Sequence, residues 1–374
     1  MSLRAVQTSN SETKDSQTSP AVARSIAQAM DAAKEAGLRY VSDTSPGLTR
    51  KKAGGGFKYV DSHGKVIADK KVRERINMLK IPPAWEQVWI CAQANGHIQC
   101  TGRDEKGRKQ YLYHADWRKF RDETKYTRLL HFGQKLEAIR KQVRKDLKLR
   151  GLPKRKVLAS VVAIMDQSMI RIGNAEYAKK NDSFGLTTMR HKHVKVRGSK
   201  ITFHFRGKSG KEHDIEVSDP VVAKVVKTCQ DLPGQELFAF KNENGELVDI
   251  GSHDVNEYIK EITGEGFTAK DFRTWGGSVC AAKTLFGLGP CDSPTKAKRN
   301  FVAAVKETAA LLGNTVAVCK KSYIHPSIAA SQISGLLYRL KTIKGGFKGG
   351  LDKDERFFMS LLKSFTRAKT HAAA

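Results

Sequence analysis

Residues 157–180 read VLASVVAIMDQSMIRIGNAEYAKK. The stretch is apolar on most sides, which predicts a helix at the centre of a domain rather than on its surface. It ends on a charge. Arg171 follows the run AIMDQSMI, and a cation there is costly unless something anionic meets it. Asp166 and Glu176 are the carboxylates close enough in sequence for a structural ion pair; an anion from outside is the other reading.

The neighbouring segments are mostly helical. In residues 127–149, Leu129, Phe132, Leu136, Ile139, Val143 and Leu147 recur every three or four positions over a basic opposite face. Residues 201–219 alternate on both sides of GKSG, which predicts one β-hairpin with Lys208 at its tip. Helices are predicted over 219–230, 252–262, 268–285, 293–313 and 315–323. Thr268 with Asp271 resembles a capping box, and Ser293-Pro294 is an N-cap with Pro at the first helical position.

Earlier in the chain the texture differs. Residues 57–61, 65–67, 88–93, 97–102 and 109–114 are short alternating segments separated by turns such as Asn95-Gly96. A helical turn or two over 71–80 is stopped by Pro82 and Pro83. Residues 1–20 are rich in Ser and Thr and poor in large apolar groups, a composition of disorder, and a short helix is predicted over 21–37. The expected fold is α+β. An extension covers 1–49, a small β-rich domain 50–120, and a larger, mainly helical domain with one β-hairpin 121–374.

Charge restricts the function. Lys and Arg number 67 against 38 Asp and Glu in 374 residues, a formal net charge of +29. The first fifty residues hold six basic and five acidic groups, so the excess lies in the part expected to fold. Such a surface attracts a polyanion and argues for nucleic acid over a neutral metabolite. The six cysteines form no C-x-x-C and no secretory leader is seen, so reduced thiols in a cytosolic protein are expected. His191 and His193 lack a third ligand at zinc-like spacing, and no metal site is expected. No apolar stretch approaches the roughly 20 residues of a membrane span.

Residues 319–328, CKKSYIHPSI, place Tyr323 behind two lysines. A tyrosine can break a phosphodiester and store the bond energy in a covalent intermediate. The transition state gathers charge on the non-bridging oxygens, which suits guanidinium groups, and the leaving oxygen takes a proton that a lysine can give. Arg171, Lys208, Arg273 and Asn314 are candidate partners. Each alone has a bland reading as an ion pair, a solvated turn or a helix cap; with Tyr323 they form a set.

Four segments carry a resemblance: RIGNAEYAKKNDSFGLTTMRHKHV (171–194), FRGKSGK (205–211), KDFRTW (270–275) and GNTVAVCKKSYIHP (313–326). They resemble the catalytic segments of type IB DNA topoisomerases of the short bacterial and poxvirus kind. ANGHIQCTGRDEKGRKQYLYH (94–114) is similar to that family's amino-terminal DNA clamp. The resemblance runs from about residue 50 to 370. It implies that Tyr323 is the nucleophile of a 3′-phosphotyrosyl bond, that Arg171 and Arg273 bind the scissile phosphate, and that Lys208 protonates the leaving 5′-oxygen. Asn314 falls where many members have a histidine; its amide can donate the same bond without the charge. Lys270 and Tyr177 are implied as further DNA contacts, and Gln110, Tyr111 and Tyr113 as major-groove contacts. Asn174 stands where viral members have a lysine, so that contact is not carried over. Double-stranded DNA is the implied partner, with no cofactor, no ATP and no membrane. A monomer would close around the duplex, hinged near residues 118–127, in the cytoplasm with the nucleoid.

A tyrosine recombinase uses the same covalent chemistry, but usually has a histidine three residues before its second arginine, where this chain has Lys270. A non-enzymatic architectural DNA binder would account for the charge but not for the ordered Arg, Lys, Arg, Tyr set.

Overall fold

The computed structural model describes residues 20–340 and 350–373. Apart from Pro20, the disorder expected over residues 1–20 lies outside them. The chain divides into two compact units, Met1–Thr124 and Lys125–Ala374.

The first unit opens with helix α1 (Pro20–Glu35) and continues with strands β1 (Leu48–Ala53) and β2 (Gly56–Val60), helix α2 (Lys70–Met78) and strands β3 (Glu86–Ile90), β4 (Ile98–Arg103) and β5 (Lys109–Tyr113). The strands form one antiparallel sheet in the order β2-β1-β3-β4-β5. Its core gathers Leu48, Ile76, Val88, Ile90 and Cys100. Strand β1 was not expected. LTRKKA shows no apolar alternation, and only Leu48 is buried, because the strand is anchored by backbone pairing on both sides rather than by its side chains. Residues 65–67, expected as a strand, make a single bridge between Val66 and Val60. The framework also reaches back into the segment expected to be an extension: Ala33 and Leu38 are buried in a small cluster with Trp117.

Helix α3 (Ala115–Asp146) begins in this unit and ends in the second. The hinge expected near residues 118–127 falls within it.

The second unit adds helices α4 (Lys154–Ser168) and α5 (Ala175–Asn181), strands β6 (Val194–Arg197), β7 (Lys200–Arg206) and β8 (Glu212–Ser218), and helix α6 (Pro220–Gln230). Strands β9 (Ala239–Lys241) and β10 (Leu247–Asp249) follow, then helices α7 (Ser252–Thr263), α8 (Ala269–Gly287), α9 (Pro294–Leu312), α10 (Val316–Ser322), α11 (Pro326–Ile333), α12 (Leu336–Arg339) and α13 (Lys353–Ala373). The unit is mostly helical with small sheets. The expectation of one hairpin needs correcting. The β7–β8 hairpin is there, with Lys208 in its turn, but β6 adds a third antiparallel strand and β9–β10 form a separate pair. VKVR and AFK are too short and too basic to show a period of their own. They are strands because β6 pairs with β7 through a turn at Gly198 and β9 with β10 through one at Gly245.

Helix α4 is central, as its composition predicts: Val157, Val161, Ile164 and Met165 are fully buried. It stops earlier than the apolar run does. Met169 is left-handed (φ 57°), and residues 170–173 continue outside any helix or strand, with the amides of Leu186 and Thr187 donating to the carbonyls of Arg171 (2.9 Å) and Ile172 (2.7 Å). Arg171 is therefore not helical.

The α3 stripe from Leu129 to Leu147 is buried throughout. Phe132 meets Phe267, Phe272 and Trp275 edge-on, with ring centroids 5.0–6.2 Å apart. Beneath this cluster the Arg140 guanidinium pairs with Asp166 (2.7 Å) and Glu355 (2.8 Å), and Glu355 also accepts from Trp275 Nε1 at 2.9 Å. Burial by itself would raise the Glu355 carboxyl, but Arg140 holds it below its ordinary range. Asp166 and Glu355 are thus committed to Arg140.

Gly133 marks a close helix contact in this core. A Cβ there would collide with the Trp275 ring and the end of Met359. Alanine would gain about 1 kcal/mol in helix propensity, while overpacking a rigid indole costs about 1–3 kcal/mol. Gly133→Ala is expected to be net destabilising, read as a lowered midpoint in urea unfolding; an unchanged or raised midpoint would show that α3 and α8 are packed more loosely than this.

Candidate active site

The sequence candidates of the second unit come from distant parts of the fold and, Asn314 excepted, line one cavity. Arg273 sits in the second turn of α8 and is 5% exposed. The carboxylate of Asp271 accepts from the Thr268 N–H at 2.8 Å, which sets the start of that helix. The Arg273 guanidinium makes no ion pair among the described residues. It donates instead to the carbonyls of Met169, at the end of α4, and Leu312 (2.8 Å), at the end of α9. The C-termini of helices carry partial negative charge, so two of them offset part of the cost of burying the cation. Burial first, and then the neighbouring Arg171, still push the guanidinium down to about 10. Besides the two N–H groups on these carbonyls, the guanidinium hydrogen-bonds the Tyr323 side chain, and Nε has no partner among the described residues.

Arg171 lies on the irregular segment after α4. Among the described residues it has no carboxylate partner: Asp166 belongs to Arg140, and Glu176 pairs with Lys180 at 2.7 Å. Its Nη2 donates to the side-chain oxygen of Asn314, and burial lowers its affinity for its proton. Glycines make this arrangement possible. A Cβ at Gly185 would stand 2.6 Å from the Arg171 carbonyl and the Gly173 amide, so only glycine lets the two segments pair.

Tyr323 is the residue that ends α10. The chain turns by 97° between α9 and α10, at Gly313 and Asn314. The Tyr323 amide donates to Cys319 (3.0 Å), and its carbonyl accepts from Ser278 Oγ (3.1 Å), which also accepts from the His325 amide (3.0 Å). The same helix thus holds Arg273 and the backbone of Tyr323. Two glycines of α8 permit the approach: a Cβ at Gly277 would lie 3.1 Å from the Tyr323 carbonyl, and one at Gly276 would lie 2.6 Å from Met169 Sδ. The Arg273 guanidinium lies 5.2 Å from the centre of the Tyr323 ring.

Arg171, Arg273, Tyr323, Lys208, Lys270 and Tyr177 line one cavity of about 320 Å³. Among the described residues, no Asp or Glu lines it. Asn314 is not part of its wall but touches it through Arg171; the Asn314 carbonyl accepts from Lys211 Nζ at 3.2 Å, and Nδ2 has no partner among the described residues. The two lysines next to Tyr323 in sequence do not line the cavity, and Lys320 stands over the Phe301 ring at 5.7 Å. The cations near the tyrosine come from distant parts of the chain. Such a site can hold a phosphate diester beside a tyrosine hydroxyl, with guanidinium donors on its oxygens.

In the first unit Tyr111 and Tyr113 point to one side of β5, exposed and stacked on each other at 6.0 Å, with Lys109 over Tyr111. Gln110 alternates to the other face and donates to Asp104 at 2.8 Å, so it does not join them. Sequence reading missed Ser278, which carries no motif. It could have found Gly276-Gly277: two glycines inside a helix forgo about 1 kcal/mol each in propensity, which calls for a packing reason.

Residues 114–345 match the family model described as the catalytic core of eukaryotic DNA topoisomerase I, and residues 56–104 match the N-terminal domain of bacterial DNA topoisomerase IB. The chain is 33% identical over 285 residues to a DNA topoisomerase 1B of Acanthamoeba polyphaga mimivirus, covering 74% of this chain and 85% of the relative. It is 25% identical over 275 residues to a DNA topoisomerase 1B of vaccinia virus (strain Copenhagen), covering 70% and 82%. Among solved structures, a XerH site-specific recombinase bound to a palindromic difH substrate aligns with a TM-score of 0.34 and 15% identity over 55% of this chain and 51% of that one, too slight a likeness to carry an argument.

Replacing Ser278 removes the hydroxyl that serves the Tyr323 carbonyl and the His325 amide. Ser278→Ala leaves these buried groups unpaired, at a cost of about 1–3 kcal/mol. Urea unfolding should show that loss; a change well under this range would mean that the tyrosine is not held from α8.

Proposed function

The chain belongs to the type IB DNA topoisomerase family, and on that premise we propose how its residues carry out the reaction. A type IB topoisomerase relaxes supercoiled DNA by cutting one strand, letting it rotate and resealing it. The observation that carries the assignment of residues is the cavity in which two guanidiniums, two lysines and two tyrosines meet without a carboxylate among the described residues. A polyanion is the ligand that such a wall favours, and of its two tyrosines Tyr323 is the one set against the Arg273 guanidinium, a hydroxyl able to form a phosphate ester.

In this reading Tyr323 Oη attacks phosphorus and a 3′-phosphotyrosyl ester forms. The bond from phosphorus to the 5′-oxygen breaks, and Lys208 supplies the proton that makes it a hydroxyl. Arg171 and Arg273 stabilise the charge on the non-bridging oxygens, with donors already fixed by Asn314 and by the two helix ends. The unpartnered Nδ2 of Asn314 gives that residue a donor for the same phosphate. Lys270 and Tyr177 contact the backbone beside it. Resealing is the reverse step. Torsional strain in the DNA drives rotation, so the cycle needs no nucleotide. In the first unit Tyr111 and Tyr113 offer apolar faces to the major groove; Gln110 contributes by holding the turn at Asp104 unless the DNA releases it. We further propose that one copy of the chain suffices, that both units contact the same duplex, and that it acts in the cytoplasm on the nucleoid.

Plasmid relaxation in EDTA without ATP tests this directly. The intact protein should relax the plasmid and Tyr323→Phe should not, while still binding it. Arg171→Ala and Arg273→Ala should each slow single-turnover cleavage on the order of 10²–10³-fold, the loss of one preorganised donor to a developing oxyanion. A Tyr323→Phe protein that still cut DNA would remove the assignment. Raising salt from about 50 to 200 mM should weaken binding by about 10³-fold or more if several phosphates are contacted; a flat response would rule out an extended footprint.

A further inference from the structure

His213 has not entered the mechanism, yet it stands in the middle of it. It is the second residue of β8, directly across from Phe205, and the two rings stack at 5.0 Å with 17° between their planes. One edge of the imidazole fills the space beside Gly207: a Cβ there would come within 2.6 Å of His213 Cδ2 and 2.7 Å of Nε2. The other edge fills the space beside Gly313, where any Cβ would collide with Cε1. Gly207 immediately precedes Lys208, and Gly313 immediately precedes Asn314. The ring is a wedge between the turn that presents the proton donor and the turn that presents the partner of Arg171. Lys211 Nζ on the Asn314 carbonyl is a second tie between the same two turns.

We propose that His213, as a neutral imidazole, is a positioning residue that sets the Lys208 turn against the Asn314 turn and so places the proton donor at the leaving oxygen. The inference rests on the topoisomerase reading of the cavity. The charged groups facing the ring are Lys208, Lys211 and Glu212 from the hairpin, Arg171 from the segment after α4, and Arg273 from α8; the α9–α10 turn contributes the uncharged Asn314. Burial first, then Arg171, Arg273 and Lys211, keep His213 below its ordinary pKa, with Glu212 opposing them. Its neutral form therefore persists at neutral pH. Protonation adds a cation among four others and pushes the two turns apart. Because the folded value lies below the unfolded one, this stabilising neutrality is present above the unfolded pKa and is lost as pH falls towards the folded value.

The test is single-turnover cleavage of a duplex with an ordinary scissile phosphate, and of one in which the bridging 5′-oxygen is sulfur. In both, Tyr323 Oη bonds to phosphorus. In the second the P–S bond breaks and the leaving group departs as a thiolate, which needs no proton. His213→Ala is expected to cut the ordinary substrate about tenfold or more slowly, as a misplaced catalytic group does, and the sulfur substrate at close to the intact protein's rate, with unchanged DNA affinity. His213→Phe keeps the wedge; it should cut the ordinary substrate faster than His213→Ala and lack the fall in rate that the intact protein shows at acid pH. Equal slowing on both substrates, or a His213→Phe profile with the acid limb intact, would overturn the proposal. An intact protein that cuts neither substrate would instead overturn the function on which it rests.

Discussion

The catalytic unit is organised around one electrostatic requirement: cations must be held in a half-buried cavity without carboxylates. An Asp or Glu would fix an arginine easily, but it would also neutralise the charge a phosphate needs and compete for the same donors. Arg273 is fixed instead by the carbonyls of Met169 and Leu312, and Arg171 by an amide oxygen. These acceptors orient a guanidinium without cancelling it. The ends of α4 and α9 converge on α8 for that reason, and Gly276 and Gly277 let neighbouring segments come close enough.

The same unit contains the opposite arrangement a few residues away. Arg140 is fully paired with Asp166 and Glu355, and Trp275 completes the set. Both arginines are poorly exposed, yet the pairing raises Arg140's hold on its proton, while burial beside Arg171 weakens that of Arg273. The first arrangement ties α3, α4, α8 and α13 together; the second keeps a donor set available. Two residues of α8, Arg273 and Trp275, serve these separate ends.

Much of this could be read from residue order. The apolar surface of residues 157–168, the α3 stripe, the Lys208 hairpin and the Ser293-Pro294 helix start are local patterns and appear where expected. Where the pattern was tertiary, it could not be read. The apolar run continues past Ser168, but α4 stops there because residues 171 and 172 pair with 186 and 187. Strands β1, β6, β9 and β10 owe their form to neighbours rather than to alternation. Tyr323, Arg171, Lys208 and Arg273 could be picked out by residue type and family likeness, and they do line one cavity. The lysines adjacent to Tyr323 looked equally relevant and are not in its wall, because sequence adjacency at a helix end says little about direction. Ser278 and His213 act through contacts between distant segments, which no single segment announces.

The way Tyr323 is attached bears on mechanics as well as chemistry. Its side chain faces the cavity, while its main chain is bonded at both ends, to Cys319 within α10 and to Ser278 on α8. Under the proposed reaction, with that side chain joined to DNA, any drag from a turning strand is passed through the peptide backbone into a largely buried helix of the unit, not into a loose loop. Arg273 lies on that helix too. In that proposal the anchor and the phosphate clamp are mounted on one helix, and under load they shift together rather than apart.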